Sequence, residues 1–237
     1  MDSGAIKRQV GRQAAEELVA SGMKLGLGTG STAIEAVRRI GELVREGALR
    51  DLKVVPTSFQ TEVACRELGI SLWSLNDPLI AGRLDLTIDG ADEVDPAWRL
   101  IKGGGAAMLI EKIVAHASRD YAIIVDSSKI VGRLGEKAPV PVELVPEALL
   151  TVSRALEALG GVPALRMAKM KDGPVITDHG NFVLDVRFPA AFDPPAMERE
   201  LALIPGLLAH GIFTRPVTSL LVGWPDGRIQ HKGEPDI

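Results

Sequence analysis

Two short stretches of this chain combine acidic, basic and glycine residues at a spacing that suits proton transfer on an anionic substrate. The first is Asp89-Gly90-Ala91-Asp92, and the second is Lys102-Gly103-Gly104-Gly105, followed by Glu111. A carboxylate can move protons at neutral pH when burial raises its pKa. A lysine beside flexible glycines can bind an anion through its charge and through backbone N–H groups. These residues are therefore candidates for an active site.

A third stretch, Gly28-Thr29-Gly30-Ser31-Thr32, suits a phosphate group. It follows a predicted strand at 23–27 and precedes a predicted helix at 33–46, so that hydroxyls and backbone N–H groups meet at the positive end of a helix dipole. The stretch is not a dinucleotide fingerprint, because Ser31 stands where the last glycine is required and the next strand, 53–57, has no acidic residue. It predicts a monophosphate site, with a purely structural turn as the alternative.

These polar stretches follow predicted strands. Residues 84–88 alternate in polarity and end at Asp89, and the apolar run 121–126 ends in Ser127-Ser128-Lys129. The order β-α-β-α-β-α-β predicts an α/β fold with a doubly wound, mainly parallel, Rossmann-like sheet. Ligands bind at the carboxyl edge of such sheets, so we expect Lys129 to lie near the other candidates.

The helix after the three glycines determines where Glu111 lies. At 100° per residue, one apolar stripe collects Ala106, Ala107, Ile110, Ile113, Val114 and Ala117. Glu111 falls at the border of this stripe, which predicts a half-buried carboxylate.

The second half of the chain changes pattern after the Pro-Val-Pro run. Strands are predicted at 140–146, 162–170, 175–178, 181–187 and 206–213, with helices at 147–159 and 194–203. This β-α-β-β-α-β order is typical of a small α+β domain of the split-βαβ, ferredoxin-like type. Residues 217–222 are apolar enough to return to the first sheet. We therefore predict a Rossmann-like catalytic domain of 1–139 plus 212–237, with an inserted small domain of 140–211.

Composition excludes several classes of protein. The net charge of −4 disfavours nucleic-acid partners, and the chain has no apolar run long enough to span a membrane. The charged start of the chain and its single cysteine, Cys65, predict a cytoplasmic protein without a signal peptide or disulfides. The four histidines are dispersed, which predicts no metal site.

With these stretches placed, the chain resembles the type A family of ribose-5-phosphate isomerases. The resemblance covers segments 26–33 (GLGTGSTA), 89–95 (DGADEVD), 102–112 (KGGGAAMLIEK), 126–129 (DSSK), 139–143 (PVPVE), 177–181 (TDHGN) and 204–213 (IPGLLAHGIF). Two positions depart from the family pattern: Ala138 stands where phenylalanine is usual, and His179 where asparagine is usual. Both departures concern local packing rather than the candidate site.

The resemblance implies an aldose–ketose isomerase of the pentose phosphate pathway that needs no metal or other cofactor. It implies that Glu111 is the general base and that Asp89, Asp92 and Lys102 are active-site groups. It further implies that the substrate, a sugar phosphate, is bound by Thr29, Gly30, Ser31, Thr32, Asp89, Gly90, Ala91, Asp92, Lys102, Gly103, Gly104, Gly105 and Lys129. The resemblance also implies a homo-oligomer, either a dimer or a tetramer.

The reaction itself agrees with these residue types. Moving a carbonyl from C1 to C2 through an enediolate requires one base, and Glu111 can take the C2 proton and return it at C1. Lys102 and the glycine amides can stabilise the enediolate oxygens. The closed sugar ring must first open, and the sequence leaves either Asp89 or Asp92 as the acid/base group for that step.

Three other functions share some of these sequence features. A non-catalytic sugar-phosphate sensor would not need Glu111 and would usually carry a DNA-reading module. An isomerase or deaminase of related fold would act on another sugar phosphate, and a substrate panel would identify it. A nicotinamide-dependent dehydrogenase is disfavoured by the missing acidic residue after the second strand.

Overall fold

The structure, a computed structural model, describes residues 1–233, which form two units by their internal contacts. The first unit contains Met1–Ala91, Ile110–Lys129 and the described residues from Pro216 onward, and the second contains Asp92–Leu109 and Ile130–Arg215. The division into 1–139 plus 212–237 and 140–211 stays a prediction, and its last four residues, 234–237, lie outside the described residues.

The helices and strands follow one another in close agreement with the predicted order. The helices are α1 Ser3–Leu18, α2 Ala33–Arg45, α3 Phe59–Glu67, α4 Met108–Ala117, α5 Leu149–Ala158 and α6 Pro194–Ala202. The strands are β1 Lys24–Leu27, β2 Lys53–Pro56, β3 Leu84–Asp89, β4 Glu93–Val94, β5 Leu100–Ile101, β6 Ser118–Asp126, β7 Val140–Leu144, β8 Val162–Leu165, β9 Phe182–Arg187, β10 Leu207–His210, β11 Ile212–Phe213, β12 Ser219–Gly223 and β13 Ile229–Lys232. Within residues 1–233, no helix is both long and apolar enough to cross a bilayer.

The first unit is built on a six-stranded sheet with the order β13-β12-β6-β3-β1-β2. All neighbours are parallel except β12 and β13. The return of the chain to this sheet after the small domain is confirmed, since β12 pairs with β6 and Leu220 lies opposite Ile123. The antiparallel strand β13 was not predicted, because its Ile-Gln-His-Lys sequence has no apolar pattern.

Helices cover both faces of this sheet, which confirms the doubly wound architecture. One face packs on α1, α2 and Cys65 of α3 through a core that includes Leu25 and Val54. On the other face α4 lies so close that a Cβ on Gly26 would be 2.4 Å from Cγ1 of Val114. The glycine therefore allows α4 to pack against β1.

The second unit contains an antiparallel sheet with the order β10-β7-β9-β8. Its chain order β7-α5-β8-β9-α6-β10 is the predicted split βαβ. Two predicted strands differ from the structure. The strand at 162–170 ends at Leu165, and residues 175–178 form only one isolated bridge, between Ile176 and Phe182.

The predicted strand at 206–213 is divided at Gly211. Strand β10 stays with β7, whereas β11 pairs with β5 in a separate sheet of order β11-β5-β4. A Cβ at Gly211 would lie 2.3 Å from the carbonyl oxygen of Lys102, so only glycine allows the chain to pass between the two sheets here.

Glu93 of β4 connects three loop amides in the second unit. Its fully buried carboxylate accepts hydrogen bonds from the backbone N–H groups of Gly135 at 2.6 Å, Lys137 at 2.5 Å and Ala138 at 2.7 Å. Ala138, one of the two departures from the family pattern, thus takes part in this contact through its backbone.

We expect Glu93→Ala to lower the free energy of unfolding by about 2–4 kcal/mol, because it leaves three loop N–H groups without their acceptor. Urea denaturation measures the change. Glu157→Ala, on the exposed face of α5, is the control and should change stability by less than about 0.5 kcal/mol. Equal stability of the two variants would contradict the role of Glu93.

Cys65 is buried in α3, and burial raises the pKa of its thiol to about 12. Because the thiolate is the reactive form, we expect the folded protein at about pH 8 to resist alkylation by iodoacetamide. The same thiol should react readily in urea. Mass spectrometry after timed labelling measures both rates, and comparable rates would show that Cys65 is accessible in the folded chain.

Candidate active site

The loop after β1 approaches β3 closely at the carboxyl edge of the first unit's sheet. Gly28 donates its N–H to the carbonyl oxygen of Ile88 at 2.9 Å. A Cβ on Gly28 would lie 2.0 Å from Oδ1 of Asp89, so no other residue fits at this position.

Asp89 orders this loop rather than facing solvent. It is fully buried, and its Oδ1 accepts the backbone N–H of Thr29 at 3.2 Å and that of Gly90 at 2.7 Å. The predicted proximity of Asp89 to residues 28–32, the glycine loop, is therefore present within the first unit.

Hydroxyl groups on neighbouring loops hold the side chain of Thr29. Its Oγ1 lies 2.7 Å from Oγ1 of Thr57 and 2.7 Å from Oγ of Ser58. The backbone N–H of Gly30 donates to Oε1 of Gln60 at 3.0 Å. The loop is thus connected to the end of β2 and the start of α3.

The start of α2 has the features of an anion-binding site. The backbone N–H groups of Ser31, Thr32 and Ala33 make no hydrogen bond to any part of the chain that the structure describes. Nζ of Lys7, on α1, donates to Oγ of Ser31 at 3.0 Å. Helix N-termini favour anions, and a lysine adds a full charge. Lys7 is not identifiable from local sequence patterns, because only the packing of α1 on α2 brings it to this loop.

Lys129 lies at the carboxyl end of β6, in a 3-10 turn of Ser127–Lys129. Asp126 orders this turn by accepting the backbone N–H of Ser128 at 3.0 Å and the hydroxyl of the same residue. The predicted position of Lys129 on the same sheet edge as the glycine loop follows from the parallel pairing of β6 and β3.

Glu111 lies in the first turn of α4 and is more buried than predicted, with 4% of its surface exposed. The predicted apolar stripe is correct in part. Ala107 and Val114 are buried, and Ile110 and Ala117 pack against the core, whereas Ile113 is 45% exposed and the buried Met108 and Ala115 were not predicted. Seven of the ten residues of this helix are apolar, so periodicity alone does not separate its buried apolar residues from its exposed ones. Because α4 leads into the parallel strand β6, its first turn, with Glu111, lies toward the carboxyl edge of the sheet.

Asp92 contacts residues 103–105, the glycine turn, within the second unit. The hairpin of β4 and β5 places it there: the Asp92 N–H donates to the carbonyl oxygen of Ile101 at 2.7 Å, and Oδ2 of Asp92 accepts the N–H of Gly104 at 2.8 Å. Gly103 has φ of +99°, which favours glycine. A Cβ on Gly104 would lie 2.7 Å from Oδ1 of Asp92, so this contact also depends on glycine.

Lys102 precedes this turn and is almost fully buried, with 2% of its surface exposed. Its N–H donates to the carbonyl oxygen of Gly211 at 2.9 Å, and its ammonium lies 5.7 Å from the ring centroid of Phe213, a cation–π distance. Gly105 is exposed, and Ala91 is the last residue of its segment in the first unit. No three His, Cys, Asp or Glu side chains among residues 1–233 are grouped as metal ligands.

Comparison with known proteins identifies the family. The sequence model described as Ribose 5-phosphate isomerase A (phosphoriboisomerase A) matches residues 53–227. The chain belongs to this family. A ribose-5-phosphate isomerase A from Thermosynechococcus vestitus is 50% identical over 225 residues, which cover 94% of this chain and 94% of the relative.

Solved structures of ribose 5-phosphate isomerases have the same fold. The enzyme from Methanocaldococcus jannaschii matches with a TM-score of 0.91 at 40% identity, covering 98% of this chain and 100% of that one. A D-ribose-5-phosphate isomerase in complex with phospho-erythronic acid matches with a TM-score of 0.93 at 38% identity, covering 99% of this chain and 100% of that one. These matches confirm the predicted α/β fold.

We expect Lys7→Met to raise the dissociation constant for inorganic phosphate about ten-fold, because it removes a charge-assisted contact at the start of α2. Isothermal titration calorimetry at fixed ionic strength measures the change. Arg8→Met is the control, since Arg8 is the next residue on α1 and is exposed. Equal phosphate affinities for the two variants would show that Lys7 does not contribute to anion binding.

Proposed function

We propose that this protein interconverts D-ribose 5-phosphate and D-ribulose 5-phosphate through an enediolate. The observation that carries the proposal is the buried carboxylate of Glu111, in the same unit as the glycine loop with its three N–H groups and Lys7. One family member of known structure binds phospho-erythronic acid. That compound has a phosphate at one end and a carboxylate at the other, and its carboxylate resembles an enediolate in shape and charge.

The proposed proton transfer uses Glu111 alone. Its carboxylate removes the proton from C2 of the open-chain aldose, and the electrons of that C–H bond form the C1–C2 double bond as O1 takes up negative charge. The same carboxylic acid then returns the proton to C1, while the O2 proton is transferred to O1. Burial supports this role, because desolvation raises a carboxylate's affinity for the proton that it must carry.

Charge on the enediolate oxygens requires fixed donors. We assign this role to the ammonium of Lys102 and to the N–H of Gly105, because preorganised donors stabilise developing charge without reorganising. The N–H of Gly104 is already used by Asp92. Thr29, Gly30, Ser31 and Thr32, with Lys129, would hold the phosphate and so position the reacting carbons.

Ring opening needs a group that can reach the sugar. We assign it to Asp92, which is partly exposed, rather than to Asp89, which is fully buried and binds two loop amides. Gly90 and Ala91, between the two aspartates, would contact the substrate through their backbone.

Two alternatives and the assembly state are separate proposals. A sugar-phosphate sensor would bind ribose 5-phosphate without turnover, and a related enzyme would turn over a different sugar phosphate. The predicted absence of a metal cofactor is testable by activity in EDTA. We also propose a cytoplasmic homo-oligomer, a dimer or a tetramer, on the basis of the family resemblance.

We expect Glu111→Gln to lower kcat for ribose 5-phosphate about 100- to 10,000-fold, because the amide cannot accept the C2 proton. Ketose formation in EDTA, measured beside the wild type and the exposed control Glu157→Gln, gives the change. A wild type that binds the sugar phosphate without turnover would support the sensor. A Glu111→Gln variant with full activity would assign the base to another residue.

A further inference from the structure

Arg166 of the second unit contacts the glycine turn that follows Lys102. Its Nη1 donates to the carbonyl oxygens of Gly103 at 3.0 Å and Gly104 at 3.2 Å. Asp185 of β9 holds the other edge of the same guanidinium, with 2.9 Å from Nε to Oδ2 and 2.5 Å from Nη2 to Oδ1. The bidentate ion pair therefore fixes the guanidinium while it binds two consecutive carbonyl groups.

These contacts determine where the opposite ends of the two peptide groups point. In a planar trans peptide the C=O and N–H bonds point in opposite directions. Arg166 thus fixes the N–H groups of Gly104 and Gly105 by holding the carbonyls of Gly103 and Gly104. The N–H of Gly104 donates to Asp92, whereas that of Gly105 makes no hydrogen bond within residues 1–233.

We propose that Arg166 is a positioning residue for the isomerisation, a role that rests on the function proposed above. It holds the glycine turn so that the Gly105 N–H and the Asp92 carboxylate keep one orientation toward the substrate. Its charge also polarises both peptide groups, which makes their N–H groups stronger donors. Arg166 is not identifiable from local sequence patterns, because it lies inside the predicted strand 162–170 and its partners are distant in the chain.

An open cavity of about 520 Å³ adjoins this contact and allows a direct test. Its lining includes Gly104, Gly105, Arg166, Met167 and Asp185. Because the guanidinium lies at a cavity open to solvent, removal of its side chain leaves space that free guanidinium ion can enter. The carboxylate of Asp185 remains in place to bind that ion.

We expect Arg166→Ala to lower kcat for ribose 5-phosphate about 10- to 100-fold, because a displacement of catalytic groups by about 1 Å has an effect of this size. The dissociation constant for inorganic phosphate should stay within about twofold, since the phosphate contacts belong to the first unit. Guanidinium chloride at about 20 mM, far below denaturing concentrations, should restore at least part of kcat, whereas sodium chloride at the same concentration should not.

Matched variants separate positioning from general stability. Arg166→Lys should also lower kcat, because one lysine ammonium cannot bind Asp185 and two carbonyl groups together. Arg187→Ala, at the exposed end of β9, should keep the wild-type kcat. If Arg166→Ala does not fold, the test uses Arg166→Lys and Asp185→Asn. For both variants, kcat is compared with the affinity for phosphate in the same way.

Three results would overturn the inference: an unchanged kcat in the Arg166 variants, a parallel loss of phosphate binding, or no rescue of folded Arg166→Ala by guanidinium. An inactive wild type would instead overturn the proposed function, so the two failures are distinguishable.

Discussion

The close approach of β1 and β3 at their carboxyl ends is the constraint on which the phosphate loop depends. Pairing of Leu27 with Ile88 brings Gly28 against Asp89, where no side chain fits. The buried carboxylate then binds the N–H of Thr29, so the direction of the loop is determined before α2 begins. The loop then leads into α2, where the N–H groups of Ser31, Thr32 and Ala33 make no hydrogen bond within residues 1–233.

Carboxylates that accept backbone N–H groups order several loops of this protein. Asp89 binds the amide that follows Gly28, Asp92 binds Gly104, and Glu93 binds three amides of the loop before β7. Only 4% of the residues are aromatic, so few large rings are available to hold loops by packing. Hydrogen bonds from backbone N–H groups to charged acceptors provide the order instead, and they are stronger than those between neutral groups.

The candidate residues that local patterns identify are those that follow a strand or precede a helix. The glycine loop, Asp89 and Lys129 were predicted correctly at one sheet edge because parallel strands place their carboxyl ends together. Lys7 and Arg166 were not predicted, since each reaches its loop only through tertiary packing. The buried face of α4 was predicted only in part, because seven of its ten residues are apolar. The break at Gly211 was missed because an apolar run does not reveal a change of sheet.

The pairing of β12 with β6 has a consequence for how the chain acquires its structure. These strands are neighbours in the sheet, yet Tyr121 and Thr218, which hydrogen-bond beside them, are 97 residues apart in sequence. Such distant pairing makes folding slow, because the chain loses the entropy of loop closure before the stabilising contacts form. During synthesis on the ribosome, the edge of β6 that pairs with β12 therefore stays uncovered until residues 130–215 of the second unit have been made. An edge of this kind, in a strand as apolar as β6, is a place where a nascent chain can associate with another.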